Sequence, residues 1–472
     1  MAQNSLEKTV EDTFSFLKEF DWIHSVQVTK IFDGTLHQIP SEWLPCLTEL
    51  NTQELNNLPF LGEASVQMYP TWPASLHEFL SVASRLSLPR DQVDLQPVSV
   101  DAGMARGMSK KKLHEVSYMA SLVDEVVAEA NCDLIVDVGS GLGYLDHVLH
   151  QVYQHSVLGL ETVDSHVTGA ETRAATQGLQ CGVKSVKFNL TNSATCFEQF
   201  EALLAKAASS LVCRSKNLVK SQATSVDSEA ATKPESEMRT ARCSLPCVCL
   251  VGLHCCGDLS PTMLAVFNQV ASVQAVCFVS CCYHKMRCVS GEYNSFPLSH
   301  RCREVSTHLK KENPPYLIPP QTLRLGAQET RNRWKDQTEK DHLDHMHHVA
   351  YRGLLELADC CQAAAQRKLV RKCDFSSFEA FLCSFFSSSF FSQADISSGT
   401  SILRDLHTKY KDDFRLIEVF TALQTVLQPV IESFIYNDRL LWLMEQGHSN
   451  VKVVPVFSET ISPRNLALVV IK

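Results

Sequence analysis

Between residues 5 and 20 the apolar positions Val10, Phe14, Leu17 and Phe20 recur at the spacing of one helix face. Pro40, Pro45, Pro59, Pro70 and Pro73 punctuate the next fifty or so residues, and residues 1–108 read as a helical N-terminal region. The rhythm changes at Ser109. Lys110, Lys111 and Lys112 lead into an amphipathic helix over 112–130, and short β-branched runs then alternate with helical segments. The runs fall at 134–138, 156–161, 183–189, 247–253 and 274–281. Alternation of this kind predicts a parallel sheet covered by helices. Two further runs, 451–457 and 466–471, flank a turn containing Pro463 and predict a terminal hairpin whose last strand inserts antiparallel.

This pattern divides the chain into four parts: the N-terminal region, a core at 109–290, a helical insertion or lid at 291–435, and terminal strands at 436–472 that complete the core sheet. Residues 209–244 are rich in Ser, Thr, Lys and Glu and almost devoid of aromatic residues. They read as a disordered insertion between the third and fourth strands. Within 291–435, helices are expected over 342–365 and 402–435. At 472 residues the chain is too long for one ordinary core.

Composition adds limits. With 45% hydrophobic and 20% charged residues the chain reads as globular. A formal charge of −9 argues against a general nucleic-acid coat but leaves room for a local basic face. Cysteine is abundant and occurs as adjacent pairs inside apolar runs (Cys255-Cys256, Cys281-Cys282, Cys360-Cys361), and the N-terminus is polar and acidic. Reduced thiols in a cytoplasmic or nuclear protein, not a secreted one, are the expectation. The apolar stretch 375–391 carries Glu379 and several serines, which predicts a partly buried helix and gives no strong membrane signal.

The densest chemical signal is Leu134-Ile-Val-Asp-Val-Gly-Ser-Gly-Leu-Gly-Tyr144. An apolar strand ends in Asp137, and Gly139, Gly141 and Gly143 alternate around Ser140 before a helix starts. Glycines let backbone turn tightly and approach a ligand, and a helix N-terminus favours an anionic group. The G-x-G-x-G spacing after an aspartate differs from the dinucleotide G-x-G-x-x-G. The next run ends in Glu161, about 20 residues on, placed to accept from ribose hydroxyls. The third ends in Phe188-Asn189, where an amide can meet an adenine amine. Together these point to S-adenosylmethionine as cofactor, held by Asp137, Gly139, Ser140, Gly141, Gly143, Glu161 and Asn189.

Ligands of open α/β sheets bind beyond the carboxyl ends of the strands. There the fourth run gives His254-Cys255-Cys256-Gly257-Asp258 and the fifth gives Cys281-Cys282-Tyr283-His284. Methyl transfer needs an aligned nucleophile and, for some acceptors, a base. His254, Asp258 and His284 are candidate bases, and Tyr283 a candidate stacking surface for a planar substrate. No C-x-x-C pair occurs here and adjacent cysteines rarely share an ion, so no metal is expected. Cys255 and Cys281 read as packing residues, and His342, His345, His347 and His348 as a solvated helix face.

The GLHCCGDLS and SCCYH segments, with DVGSGLGYL before them, resemble a methyltransferase-like family that includes a ribosomal RNA adenine dimethylase domain-containing protein. More distantly they are similar to transfer-RNA ribose methyltransferases that pair an H-x-C-G with a C-C-H-H segment. The resemblance covers roughly 109–290 and the last twenty or so residues. It implies a Rossmann-like α/β sheet of seven strands and an enzyme that uses S-adenosylmethionine on RNA. The chain departs from the transfer-RNA enzymes at Tyr283, where they carry a second histidine, and it shows no counterpart of their N-terminal zinc module. Asn313-Pro314-Pro315-Tyr316 matches an adenine-amine motif in letters, but it falls well past the fifth run and reads as a turn between helices.

The expectation is therefore an S-adenosylmethionine-dependent methyltransferase acting on RNA, ribosomal or transfer, or on a protein side chain. Lys110, Lys111, Lys112 and Arg106, with Lys310 and Lys311, are candidate phosphate contacts. The rival is a catalytically silent fold serving as a cofactor-binding or partner-binding scaffold.

Overall fold

The computed structural model describes residues 3–212, 245–328, 330–359, 363–388 and 390–472. Residues 213–244, most of the insertion expected to be disordered, lie outside the described residues. Its first residues, Ser209 to Val212, continue the preceding helix as one wider turn.

The chain forms two compact units. One comprises Pro89–Glu304 and Tyr436–Lys472 with the first few residues, and the other Glu7–Leu88 and Val305–Ile435.

The first unit is built on a sheet of seven strands. In chain order the strands are β1 (Leu134–Val138), β2 (Val157–Glu161), β3 (Val183–Lys187), β4 (Val248–Cys255), β5 (Val273–Ser280), a separate two-stranded hairpin of β6 (Cys288–Val289) and β7 (Glu292–Tyr293), then β8 (Asn450–Pro455) and β9 (Leu466–Ile471). Their order across the sheet is β3-β2-β1-β4-β5-β9-β8. The first five pair in parallel, and β9 lies antiparallel to both β5 and β8. This is the seven-stranded Rossmann-like α/β sheet that the sequence pattern predicts, with the terminal hairpin inserted antiparallel.

Central strands read as unbroken apolar runs because helices cover both faces. Every residue of β1 and of β9 is buried. Val116, Met119 and Val123 of the helix Lys110–Glu129 pack with Ile135, Val251, Cys277 and Val469 in one core. Burying each of the larger aliphatic side chains contributes roughly 1.5–3 kcal/mol. Cys249 and Cys277 are fully buried here and act as small apolar residues.

The second unit is helical and joins two distant stretches of sequence. The ring of Phe14 meets that of Phe434 edge-on at 4.8 Å. Trp334 donates to the carbonyl of Leu55 at 3.1 Å. The N-terminal region and the insertion, expected as separate parts, thus form one body, with boundaries at 88/89 and 304/305 instead of 108/109 and 290/291. Sequence periodicity reports which face of a helix is apolar but not which distant helix covers it. The helix expected to stop at 435 runs from Phe414 to Glu445. The stretch Gln393–Glu445 is apolar and long enough to pass for a membrane span, yet 78% of its most apolar window is buried inside the protein.

His342 corrects another expectation. It is 5% exposed, with Nδ1 2.6 Å from Glu418 and Nε2 2.7 Å from Asn56, while His345 meets the other Glu418 oxygen at 2.7 Å. Burial alone would push the Glu418 carboxyl up, but the two imidazoles outweigh it and hold the group below its ordinary value. The histidine run therefore has a buried, hydrogen-bonded side as well as a solvated one. The 313–316 turn lies between the helices His300–Leu309 and Pro320–Gly326, and Tyr316 is buried.

His24 offers a direct measure of this unit. It is fully buried, with Nδ1 2.8 Å from the Thr322 hydroxyl and Nε2 2.7 Å from the Leu17 carbonyl. Desolvation lowers its pKa to about 4. A histidine with a depressed folded pKa leaves the unfolded chain to take up the proton first, so stability falls as pH drops from the unfolded value near 6.5 toward 4. Denaturant titrations at pH 7.5 and pH 5 should show His24→Gln losing about 2 kcal/mol less than wild type over that interval. Identical losses in both proteins would mean that His24 is not buried neutral.

Candidate functional site

β1 ends in a bend at which Gly139, Gly141 and Gly143 all take positive φ. Gly141 matters most for a ligand. At φ +59° a side chain is strained, and a β-carbon built there meets nothing within 4 Å. The bend is therefore open on its outer side, and no side chain blocks it.

The bend is held from β2. Glu161 reaches across with Oε2 to accept from the Gly141 amide at 3.0 Å. Oε1 accepts from the amides of Thr162 at 2.7 Å and Val163 at 3.0 Å. Burial opposes the charge, but these bonds outweigh it and hold the carboxyl below its usual range. A carboxylate offers about four lone-pair sites, so Oε2 retains capacity for a hydroxyl donor beside the bend. The amides of Gly139 and Ser140 are engaged with the Leu160 carbonyl, and that of Gly143 with the Ser140 carbonyl. These three do not serve as the free anion-binding donors that glycine-rich spacing suggests. The bend contributes shape and clearance instead.

Asp137 and Ser140 work from beneath. Asp137 is 3% exposed and faces Asp146 on the helix Tyr144–Tyr153. Burial and the Asp137 carboxyl beside it raise Asp146 well above the ordinary carboxylate range. The Ser140 hydroxyl turns down on to Gly159, where an added β-carbon would lie 2.7 Å from it. Asn189 is exposed two residues beyond β3. Open space at the bend, a partly free carboxylate beside it and an exposed amide at the next strand end fit the amino-acid, ribose and adenine parts of S-adenosylmethionine.

The second half of the site lies at the same edge, because β1 and β4 pair in parallel with Asp137 opposite Val251. His254 points outward near the end of β4, its side chain 40% exposed. Nε2 lies 3.2 Å from Glu115 Oε2. Glu115 itself is 2% exposed, on the helix Lys110–Glu129, and its Oε1 accepts from Ser462 at 2.8 Å. Burial would raise the Glu115 carboxyl, but His254, Ser462 and Lys111 together hold it below its usual value. Sequence reasoning missed Glu115. The available signal was an acid one position from Val116 and four from Met119, on the apolar side of an amphipathic helix, where a charge needs a partner.

The remaining candidates divide. Asp258 Oδ2 accepts from the Arg287 amide at 2.9 Å and so ties the loop after β4 to the one after β5. Tyr283, expected as a stacking surface, is 1% exposed; its hydroxyl donates to the Ser280 carbonyl at 3.4 Å and its ring lies near the Arg439 guanidinium. It packs inside the unit and offers no face to a substrate. His284 is half-buried in the short turn after β5. Cys255 is buried against Met263, as a packing residue should be. Cys281 is not: its thiol lies 3.0 Å from that of Cys256 and 3.6 Å from that of Cys282.

Residues 111–289, which hold the sheet edge just described, match the model of a methyltransferase domain family. The chain is also similar to the mouse protein named "Probable methyltransferase-like protein 25", at 25% identity over 77% of this chain and 75% of that one. The human protein of the same name is 23% identical over the same shares. Among solved structures, a geranyl diphosphate methyltransferase in complex with S-adenosylmethionine aligns with 49% of this chain and 75% of its own, at 14% identity and a TM-score of 0.23.

Removing the Glu161 side chain tests the site directly. Glu161→Ala leaves the Gly141, Thr162 and Val163 amides without their acceptor and removes the carboxylate expected to meet the ribose. S-adenosylmethionine affinity, measured calorimetrically, should fall at least about tenfold. Unchanged affinity would remove this acid from the site.

Proposed function

We propose that this chain transfers the methyl group of S-adenosylmethionine to an RNA, with His254 as the base that receives the acceptor's proton. The carrying observation is the His254–Glu115 pair at the same sheet edge as the glycine bend. A carboxylate only accepts, so it draws the imidazole proton to Nε2 and leaves Nδ1 as the basic nitrogen. Glu115 thus acts as a positioning residue, and Ser462 in turn orients Glu115.

When bound, S-adenosylmethionine supplies an electrophilic methyl group. The chain's own residues do the rest. The glycine bend and Glu161 seat the cofactor, and His254 takes a proton from a hydroxyl or amine brought in line. A base of this kind contributes typically 10²–10⁴-fold.

Support for a polyanionic acceptor comes from cations around this edge. Lys285 and Arg287 follow β5, Lys110 and Lys111 begin the helix that carries Glu115, and all four are exposed. Arg106 is exposed nearby in sequence, its carbonyl held by Arg173, whose guanidinium lies 4.2 Å from the Tyr144 ring. These cations follow β5 or lie at and just before the start of the Glu115 helix, on a chain whose formal charge is −9. A protein side chain is the second acceptor class.

Labelled cofactor offered with total RNA and, separately, with protein extract tests the proposal. Label should enter RNA. Label in protein alone would replace the substrate class, and tight cofactor binding with no labelled product would favour a silent scaffold. Two variants locate the chemistry. Gly141→Arg fills the open side of the bend and should abolish cofactor binding by calorimetry; retained affinity would count against the site. Glu115→Gln keeps an oxygen for Ser462 but turns an amide donor toward His254 Nε2, which moves the imidazole proton to Nδ1 and removes the basic nitrogen there. Cofactor affinity should stay within about twofold while single-turnover transfer falls by roughly tenfold or more. Equal losses in both quantities would assign Glu115 a structural role alone.

A further inference from the structure

The thiols of Cys256, Cys281 and Cys282 lie within 4.8 Å of one another, each half-buried. Their approach is built into the backbone. Gly257 takes φ +56°, and a β-carbon there would lie 2.8 Å from the Lys285 carbonyl oxygen. Only glycine lets the loop after β4 come this close to the turn after β5. The Gly257 amide donates to the Cys282 carbonyl at 3.2 Å, and the Arg287 amide to Asp258 at 2.9 Å, so the two loops are clasped on either side of the cluster. Behind it, the buried Arg439 donates to the Ser280 hydroxyl at 2.7 Å and anchors the end of β5. The expectation that no metal binds rested on the lack of a C-x-x-C pair and on adjacent cysteines rarely sharing an ion, whereas the fold brings Cys256 of one pair up to both thiols of the other.

We infer that Cys256, Cys281 and Cys282 form a binding site for one soft divalent cation, zinc by its chemistry, with a fourth coordination position left to an exchangeable ligand. Tetrahedral zinc at about 2.3 Å from each sulfur separates the sulfurs by roughly 3.8 Å. The contacts at 3.0 and 3.6 Å reach that spacing through small thiol rotations. Thiolates select zinc over magnesium or calcium. Among the described residues no fourth histidine, cysteine or carboxylate joins the group, the pattern of a site that keeps an open position. Three thiolates and a dication leave one negative charge, and the ammonium of Lys285 stands close enough to act on Cys256 and Cys282. On binding, each thiol releases its proton to solvent, and no electron changes hands. The site lies at the strand ends beside His254, yet it stands apart from methyl transfer and does not require it.

The test uses the full-length chain, equilibrated with micromolar zinc under reductant and then desalted. Mass-spectrometric metal analysis should find about one zinc per chain. Cobalt substitution should give intense thiolate-to-metal charge-transfer absorption in the near ultraviolet. Cys256→Ser and Cys281→Ser should each lower zinc affinity at least tenfold in chelator competition, whereas Cys383→Ser, an exposed thiol of the helical unit, should leave it unchanged. Gly257→Ala, which removes no thiol, should also weaken binding by displacing the loops. Calorimetry with S-adenosylmethionine and circular dichroism on each variant separate loss of the metal site from loss of the fold. A folded, cofactor-binding wild type that holds no zinc would overturn the inference. So would zinc retained at full affinity by the Cys256→Ser, Cys281→Ser double variant, or a Cys256–Cys281 disulfide found by peptide mass analysis in a metal-free chain.

Discussion

Parallel pairing of β1, β4 and β5 is the constraint on which the rest of the sheet unit depends. Parallel strands bring all their carboxyl ends to one edge, so segments well over a hundred residues apart in sequence deliver their loops to the same place. β1 delivers the glycine bend, β4 delivers His254 and Cys256, and β5 delivers Cys281 and Cys282. Because β9 enters antiparallel beside β5, the chain also returns its last turn, with Ser462, to that edge. The chemistry is concentrated by topology before any side chain interacts with another.

That edge tolerates charge because each buried charge has a partner. An unpaired carboxylate in the interior is costly, and Glu115 is nearly fully buried. It is tolerated with His254 on one oxygen and with Ser462 and Lys111 on the other. Asp137 and Asp146 meet the same problem differently: burial under the bend pushes both carboxyls up, away from the charged form. Glu161 solves it chiefly with backbone amides. Acids in one neighbourhood therefore meet three different environments. The one left with both charge and a spare lone pair is the one beside the opening.

How much of this was legible in the sequence depends on the range of the interactions. The strands were legible because β-branched runs bounded by glycine and polar residues are local signals; β9 falls at the run 466–471 read from sequence. The glycine bend was legible for the same reason. Residues whose role depends on a distant partner were not. Nothing near Tyr283 in sequence announces that Arg439 and the end of β5 will enclose it, so a surface role looked as good as a packing one. His342 looked solvated because Glu418 and Asn56 lie 76 and 286 residues away. The cysteines show both outcomes. Cys255 behaves as its apolar run suggests, whereas Cys281 takes its character from Cys256 across a loop boundary that sequence spacing does not reveal.

The same range argument bears on how the site assembles. His254 is oriented only when Glu115 is ionised and in place, and Glu115 is satisfied only when Ser462 has arrived from the far end of the chain. Ser462 belongs to the turn between β8 and β9. That turn is tied back to the start of the unit: the Asn465 side chain donates to the Arg90 carbonyl at 2.9 Å, and the Arg90 guanidinium lies 3.8 Å from Glu459. The glycine bend and Glu161, by contrast, need only β1 and β2. On the proposed reading, the cofactor seat rests on contacts local to the start of the sheet, and the base on contacts that close it. Cofactor binding and transfer thus rest on different parts of the chain, and damage to the terminal hairpin should cost the second far more than the first.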